Sequence, residues 1–485
     1  MVFRVKKDND IAVYDLLPRV INEGEAQREW AFQNGSLAFN VIEKPFGNIN
    51  KIYGLTAGFH EGDLEDAQER IYEVFDTYQE EQRQGLEPES EDSSAINYPY
   101  DPKKINISNY NWSVDTIRQM LKRKIISLSS DFQRNFVWDY TRKSRLIESI
   151  LLGIPVPAFY LAKDKKGVYH VVDGLQRLTT INQFFNNQFS LKYLEYLNGE
   201  NNTDRLEGYY YSTDAETNKK GLDSLESGSD YEFTLASTQF NVNVINSDTP
   251  IRVKFDIFRR VNSGGKPLNT QEMRNCLMDE DTRTLINDLA KSDEFKAATG
   301  GSITTDRMVG QELVMRFIGF WFIKILKKDE AQKVVYTGDM QAFLDDLVDF
   351  LNKEGGAYYK DIRIYFKQAM LNSYHLFGQY CFRKCLPRHL VQGAPKQFIN
   401  KSLFTTWATL LSKYDADFIA NTYQYGSFAQ ILADALYPEI LLPDGTLVGR
   451  NSQLYDSVSY KTNDKKILDK AFSETLNIIQ QNILL

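Results

Sequence analysis

The spacing of hydrophobic residues between positions 158 and 185 predicts a unit of two strands followed by a helix. Two short apolar runs, Ala158–Ala162 and Val168–Val172, flank a polar turn and have the length and composition of buried strands. The second run ends at Asp173 and Gly174, and helical spacing of apolar residues begins at Leu175. The polar residues at the end of the second run therefore lie on a strand-to-helix turn.

The flanking sequence predicts further helices and one further strand. Ser113 is a suitable N-cap for a helix that continues to Lys124, and alternating apolar residues and asparagines predict strand character within Tyr231–Val244. Helical spacing recurs in three other segments, Thr141–Leu152, Ile251–Val261 and Thr270–Met278. A Gly-rich turn precedes the last of these, and the polar residues 195–230 predict an irregular insertion.

Changes in composition predict four regions. Residues 1–84 have the pattern of a small mixed module with an amphipathic helix over 63–81, and residues 85–102 are acidic, Ser-rich and interrupted by prolines, as linkers are. Residues 103–280 mix strand and helix patterns, and helical patterns dominate residues 281–485. We therefore predict an α+β fold, with an α/β core, a mostly α-helical C-terminal domain and a small mixed N-terminal extension.

Composition and charge indicate a cytoplasmic globular protein. Hydrophobic residues form 42% of the 485 residues, and the net charge of −8 excludes a polycation, so any DNA contact must use local basic patches. Lys122–Lys124, Arg142–Arg145 and Lys163–Lys166 are candidates for such patches. Three cysteines make no disulfide framework, and the longest apolar stretch, Phe317–Leu326, is too short to span a bilayer. We expect no membrane partner.

The polar residues of the strand-to-helix turn suit a phosphate. A helix N-terminus carries unpaired N–H groups and partial positive charge, and Gly174 permits a tight turn there. Arg177 adds a forked donor that matches phosphate geometry, and Asp173 and Gln176 add a carboxylate and an amide. The alternative is an ordinary junction in which Asp173 caps the helix. His170, on the strand, is more typical of a packed histidine than of a base.

Two other segments add candidate residues. Gln133 and Arg134 lie between aromatic residues in an extended stretch, where Arg134 is either a second phosphate ligand or a stacked surface residue. Asn262 precedes Ser-Gly-Gly, which permits close approach of backbone to a ligand. Glu148 and Glu272 are candidates for a second acidic group, although no spacing fixes either of them at the site.

Together these segments resemble the ParB/sulfiredoxin-like superfamily, in the branch of the N-terminal domain of GmrSD-type restriction endonucleases. The resemblance covers roughly residues 105–410 and depends most on FQRNFVW (132–138), RLIESILLGIPVP (145–157), VVDGLQRLTTI (171–181) and FRRVNSGGKPLNTQEMRN (258–275). The motif of the family is usually DGQQR, and Leu175 stands at its third position here. If the missing glutamine matters for hydrolysis, binding would survive while turnover drops.

The resemblance implies a nucleotide-handling domain with phosphoryl-transfer chemistry. Asp173 would orient a metal-bound or attacking water, with Mg²⁺ as the expected ion, and Gln176 would position that water or the phosphate. Arg177 and Arg134 would neutralise charge on phosphoryl oxygens. The candidate nucleotide-binding residues, with an NTP as substrate or ligand, are Gly174, Thr179, Thr180, Gln133 and Asn262.

Three functions remain open from the sequence. The first is a nucleotide-dependent hydrolase or nuclease of a restriction or anti-phage defence system, and the second is a non-enzymatic nucleotide- or DNA-binding module that acts through a partner nuclease subunit. The third is a structural interaction protein. Many restriction relatives carry a C-terminal nuclease module with a His-based metal finger. His375 and His389 are the only histidines after residue 170, so we expect that module to be missing.

Overall fold

The computed structural model describes most of the chain after residue 104 and the strands of the N-terminal region. The described residues are 2–7, 10–15, 17–23, 28–34, 37–44, 48–53, 84–87, 105–128, 138–200, 204–224, 230–261, 269–303, 308–326, 334–441 and 447–483. The chain divides into two compact units. The first unit comprises Met1–Asn97 and Thr284–Leu485, and the second comprises Tyr98–Arg283.

The second unit contains a five-stranded mixed sheet. Its strands are β7 (Ile107–Ser113), β8 (Ile126–Ser127), β9 (Phe159–Lys163), β10 (Tyr169–Asp173) and β11 (Gln239–Ile245), in the spatial order β7-β11-β9-β10-β8. Antiparallel pairing joins β7 to β11 and β9 to β10, whereas β11 pairs with β9 and β10 with β8 in parallel. The predicted α+β class is confirmed at the level of a mixed sheet with many helices.

Six helices accompany this sheet within the described part of the second unit. They are α1 (Val114–Lys122), α2 (Tyr140–Leu151), α3 (Leu175–Phe185), α4 (Tyr231–Ser237), α5 (Ile251–Val261) and α6 (Thr270–Leu277). The helix α7 (Glu280–Lys291) crosses the boundary between the units. The predicted cap is present, since Ser113 Oγ accepts from the backbone N–H of Thr116 at 3.1 Å.

Two apolar clusters hold the sheet in place. The larger contains Phe159, Leu161 and Val171 with residues of α1, α2 and α3, and the smaller contains Val172 and Ile245 with residues of α5 and α6. Neighbouring residues of β10 thus belong to different clusters, as the alternation of side chains along a strand requires. Burial on both sides explains why this strand is an uninterrupted apolar run.

One predicted strand is partly a helix. Strand character was expected over Tyr231–Val244, but α4 occupies Tyr231–Ser237 and only Gln239–Ile245 is extended. The side chain of Asp230 caps this helix by accepting from the N–H of Phe233 at 2.8 Å. This local cap outweighs the strand preference of the aromatic residues that follow it.

The first unit combines N-terminal strands with helices from the C-terminal half. The strands β1 (Val2–Lys7) and β2 (Asp10–Asp15) form one antiparallel pair, and β3 (Leu17–Glu23), β4 (Arg28–Asn34), β5 (Leu37–Lys44) and β6 (Asn48–Tyr53) form a four-stranded antiparallel sheet. The helix predicted over residues 63–81 lies outside the described residues.

The C-terminal half is mostly helical, as its periodicity predicts. Its helices are α8 (Asp293–Thr299), α9 (Val309–Trp321), α10 (Met340–Glu354), α11 (Tyr359–Phe377), α12 (Lys401–Leu411), α13 (Ala416–Thr422), α14 (Phe428–Leu436), α15 (Gln453–Ser457) and α16 (Lys465–Asn482). A short hairpin, β12 (Glu439–Leu441) with β13 (Leu447–Gly449), interrupts them. A turn of π-helix, Phe322–Leu326, extends α9, whose Phe317 and Trp321 are fully buried.

The start of the expected linker is packed rather than solvated. Leu86 is buried and forms a parallel bridge with Ile399, and the N–H of Glu87 donates to the carbonyl of Ile399 at 2.7 Å. The carboxylate of Glu87 also pairs with Lys384. Residues 85–87 therefore belong to the first unit, and a linker can begin only after residue 87. Among the described helices, none combines the length and apolar composition needed to cross a bilayer.

Candidate functional site

The strand-to-helix turn depends on a glycine at position 174. Gly174 has φ of +97° and is the N-cap of α3, directly after the last residue of β10. A Cβ at this position would lie 2.4 Å from Cδ1 of Phe159 and 3.2 Å from Nη2 of Arg177. Phe159 is only 1% exposed, so its ring has little room to move. Glycine is required here for both the backbone conformation and the close approach of these two side chains.

Arg177 is held by a carboxylate, two backbone carbonyls and an aromatic ring. Its Nη2 donates to Oδ2 of Asp173 at 2.9 Å and to the carbonyl of Ala158 at 3.3 Å, and Nη1 donates to the carbonyl of Pro157. Its guanidinium carbon lies 4.5 Å from the centre of the Phe159 ring. Burial lowers the pKa of Arg177, and the Asp173 carboxylate opposes that shift.

The guanidinium keeps donors for a ligand. Arginine has five N–H groups, and these three hydrogen bonds leave two of them without a protein acceptor among the described residues. Within the ion pair, the Arg177 side chain is 12% exposed and the Asp173 side chain 37% exposed. A ligand from solvent therefore reaches the carboxylate more easily than the guanidinium.

The interpretation in which Asp173 caps the helix does not hold. The N-cap is Gly174, which has no side chain to accept from the first-turn N–H groups, and the first turn carries no acidic residue. The carboxylate of Asp173 instead accepts a hydrogen bond from the guanidinium of Arg177. The N-terminus of α3 thus keeps the uncapped N–H groups and partial positive charge that favour an anion.

Gln176 contributes an unsatisfied acceptor in the first turn of α3. Its Oε1 is buried and has no hydrogen-bond partner among the described residues. A buried acceptor without a partner is destabilising by about 1–3 kcal/mol, so such an atom is usually explained by a ligand or an ordered water. An acceptor matches an O–H or N–H group rather than a phosphate oxygen.

The structure brings together some of the predicted site residues but not all of them. Asp173, Gly174 and Arg177 converge, and Gln176 lies in the same turn of α3. Thr180 is fully buried and its hydroxyl donates to the carbonyl of Gln176 at 2.8 Å, so it belongs to the packing of α3 rather than to a surface that a nucleotide could contact.

Of the other predicted residues, one lies within the described residues and three lie outside them. Thr179, on α3, is half-buried. Gln133, Arg134 and Asn262 lie outside the described residues, as does the Gly-rich turn after Asn262. Their predicted roles stay predictions.

The two glutamates considered as a second acidic group have other partners. The carboxylate of Glu148 is buried and accepts from the backbone N–H groups of Glu195, Tyr196 and Leu197 at 2.8–3.0 Å. Glu272 accepts from the N–H of Asn269 at 2.6 Å in the capping box of α6. Both carboxylates are therefore structural, which leaves Asp173 as the acidic group of the junction among the described residues.

His170 is a packed histidine next to charged groups. Its Nε2 lies 3.0 Å from Oδ2 of Asp164, and its Nδ1 lies 3.5 Å from Nη2 of Arg283. Burial lowers the pKa of His170, and the hydrogen bond with Asp164 works against that effect. Burial of the ring thus favours its neutral form, consistent with a role in packing.

The described residues do not provide a complete set of metal ligands. Among the described residues, no group of three or more His, Cys, Asp or Glu side chains is arranged to hold an ion. Mg²⁺ commonly uses one or two carboxylates together with phosphate oxygens and water. Asp173 fits that limited requirement, since it is partly exposed, although one of its oxygens is shared with Arg177.

The sequence did not indicate the role of the segment before β9. The carbonyls of Pro157 and Ala158 and the ring of Phe159 fix the guanidinium of Arg177, and none of them is a polar side chain. Gly153 and Pro155 are typical of the end of the preceding helix and indicate no more than that. The contact itself joins residues about twenty positions apart, which a local pattern does not reveal.

The second unit is a mixed α/β domain whose candidate site is a strand-to-helix turn. Residues 117–278 of this domain match the sequence model of a family described as GmrSD restriction endonuclease, N-terminal domain. The match includes the whole junction from Pro157 to Arg177 and indicates a component of a restriction-type nuclease system. Comparisons with curated proteins and with solved structures gave no match.

Proposed function

We propose that the second unit binds a nucleoside triphosphate at the N-terminus of α3 and hydrolyses it as part of a restriction or phage-defence system. The observation that carries this proposal is the combination, in one turn, of an uncapped helix N-terminus, the Asp173–Arg177 pair and the unpartnered Oε1 of Gln176. The first two suit phosphate oxygens, and the third suits an O–H donor. The phosphoryl group of the triphosphate and the attacking water are the two reacting groups of nucleotide hydrolysis.

Each residue has a role that follows from its position. The two remaining N–H groups of Arg177 and the backbone N–H groups of α3 bind phosphoryl oxygens and neutralise charge that develops on them. Oε1 of Gln176 accepts a hydrogen bond from the attacking water and thereby orients it. Asp173 holds Arg177 in place, and its partly exposed carboxylate would bind the Mg²⁺ that accompanies the nucleotide. That ion supplies further charge neutralisation at the phosphates.

A second candidate function follows from the number of carboxylates. Asp173 is the acidic group of the junction among the described residues, because Glu148 and Glu272 have structural partners. A site with one carboxylate that already pairs with an arginine is suited to binding more than to turnover. In this alternative the domain binds a nucleotide or DNA without hydrolysis and acts through a partner nuclease subunit.

A binding and turnover panel distinguishes these functions. ATP, GTP, CTP and UTP are each titrated with Mg²⁺ into the full chain by calorimetry, and phosphate release is measured in parallel. Hydrolysis predicts saturable binding and release of phosphate, both reduced at least tenfold by Arg177→Ala. The binding alternative predicts the same loss of affinity with no release from the wild type.

The controls separate chemistry from folding and from general loss of charge. Arg142→Ala removes an exposed arginine near the start of α2 and is expected to leave binding and turnover unchanged. Gln176→Met keeps the length of the side chain and removes the acceptor without adding charge, so it is expected to lower turnover more than affinity. If none of the four nucleotides binds, nucleotide hydrolysis and nucleotide binding are both wrong, and the structural interpretation is favoured.

A further inference from the structure

The first unit contains a cavity that the proposed function does not use. It lies where the turns after α11 face the segment that leads to α12, and it has a volume of about 510 Å³. Its lining includes Arg383, Lys396 and His389 together with the amides of Gln379, Gln392 and Gln397. Sites for small molecules typically measure about 300–1,000 Å³ and combine an apolar lining with a few polar groups. The cavity therefore has the size of a ligand site.

A buried guanidinium lines this cavity, and it has no carboxylate partner among the described residues. Arg383 is 2% exposed and makes four hydrogen bonds, all to neutral acceptors, namely the carbonyls of Gln379, Gln397 and Thr299 and the hydroxyl of Ser302. No ion pair of Arg383 occurs in the part of the chain that the structure describes. A buried charge is strongly destabilising unless a counter-charge compensates it. An anion in the cavity would supply that compensation.

A second cation lies beside the first. Lys396 donates from Nζ to the carbonyl of Gly300 at 3.1 Å and is exposed at the opening of the cavity. Burial and the positive charge of Arg383 lower the pKa of Lys396, so the two cations repel each other. The lining contains no aspartate or glutamate to offset them. The lining of the cavity therefore carries two cationic side chains and no carboxylate.

We propose that this cavity binds an organic phosphate of about mononucleotide size. The free N–H of Arg383, one of five after four hydrogen bonds, and the Lys396 ammonium would bind the phosphate group. The glutamine amides offer donors and acceptors to the edge of a base or sugar. A volume of about 510 Å³ exceeds what inorganic phosphate alone would fill, so the ligand carries an organic group. This site is independent of the junction at Asp173.

Calorimetry of the full chain with AMP tests the proposal. We expect saturable binding that Lys396→Ala weakens at least tenfold, because a charge-assisted contact is lost. Ala394→Phe, which adds a ring to the lining, is expected to abolish the same binding event by occupying the cavity. Lys413→Ala removes an exposed lysine from outside the lining and is expected to change the affinity less than twofold.

The variants also distinguish this site from the proposed nucleotide site. AMP binding that persists in Arg177→Ala but is lost in Lys396→Ala supports the cavity, whatever the result for nucleotide hydrolysis. If AMP shows no saturable binding, or if Lys396→Ala and Ala394→Phe both leave it unchanged, the proposal is wrong. A parallel titration with inorganic phosphate tests the ligand class, since equal affinity for phosphate and AMP would overturn the claim that an organic group is recognised.

Discussion

Replacement of Gly174 by alanine tests whether the turn is built around contact with Phe159. Two effects add in the folded state. A non-glycine residue at φ of +97° is strained by about 1–3 kcal/mol, and a Cβ 2.4 Å from a buried ring forces overpacking of about 1–3 kcal/mol. Alanine also reduces the conformational entropy of the unfolded chain, which offsets roughly 0.4–1 kcal/mol of this destabilisation. The net expected destabilisation is roughly 1–5 kcal/mol.

The assay is thermal unfolding of the full chain, followed by circular dichroism. A loss near the middle of that range, about 3 kcal/mol, lowers the midpoint of a domain of this size by roughly 6–12 °C. The midpoint to follow is that of the transition that includes the second unit. Binding of a nucleotide at the junction should weaken in the same variant, because displacement of Phe159 also moves the face on which Arg177 rests.

Gly167→Ala is the matched control for backbone strain. Gly167 has φ of +88°, close to that of Gly174, but a Cβ there would have no neighbour within 4 Å. The two variants share the strain, so the difference between their unfolding free energies isolates the contact with Phe159 and should be about 1–3 kcal/mol. Equal losses of stability in both variants would refute the packing argument. Partial recovery in the double variant Gly174→Ala/Phe159→Leu would support it.

Two further predictions concern buried groups of the second unit. Burial holds the pKa of His170 below its value in the unfolded chain. The contribution of His170 to the free energy of unfolding is therefore complete above about pH 6.5 and is lost as the pH falls through the folded pKa. The slope of this loss is at most about 1.4 kcal/mol per pH unit. Unfolding midpoints between pH 5 and 7.5 should show this loss in the wild type and a weaker one in His170→Gln. Glu148→Gln replaces one acceptor oxygen by an amino group and should lower stability by about 1.5–3 kcal/mol without changing the metal dependence of nucleotide binding. Loss of metal dependence at unchanged stability would instead place Glu148 in the site.

The elements that position the site could be predicted because their signals are local. The runs Ala158–Ala162 and Val168–Val172 correspond to β9 and β10 with a shift of one residue, and Ile251–Val261 matches α5 at both ends. Each segment is bounded by glycine, proline or a polar turn and has the periodicity of one element only. In such segments the local preference and the tertiary contacts favour the same element.

The capping residues were harder to predict. Asn269 and Thr270 are both suitable N-cap residues for α6, and in the structure Asn269 forms a full capping box with Glu272. Ser or Thr is the usual first residue of such a box, and asparagine fills that position here. At Asp230 the cap was missed altogether, and the helix α4 was assigned to a strand as a result.

The contacts that define the site could not be predicted from local patterns. Asp173 and Arg177 are four residues apart, a spacing that brings two side chains together at a helix start, and Nη2 of Arg177 lies 2.9 Å from Oδ2 of Asp173. It does not predict that Arg177 rests on Phe159 or that Oε1 of Gln176 is left without a partner. Both depend on how β9 packs against α3, which only the folded domain determines.

Leucine at position 175, where the resemblance noted in the sequence leads us to expect glutamine, has a physical explanation in this chain. Leu175 is half-buried and packs against the larger apolar cluster of the second unit. A glutamine with the same orientation would bring its amide against apolar side chains, where an unpaired polar group is destabilising. Position 175 therefore contributes to packing, while the polar groups of the turn are Asp173, Gln176 and Arg177. Within the turn, turnover would depend on those three, and Gln176, whose Oε1 has no partner among the described residues, is the residue on which hydrolysis and simple binding most clearly differ.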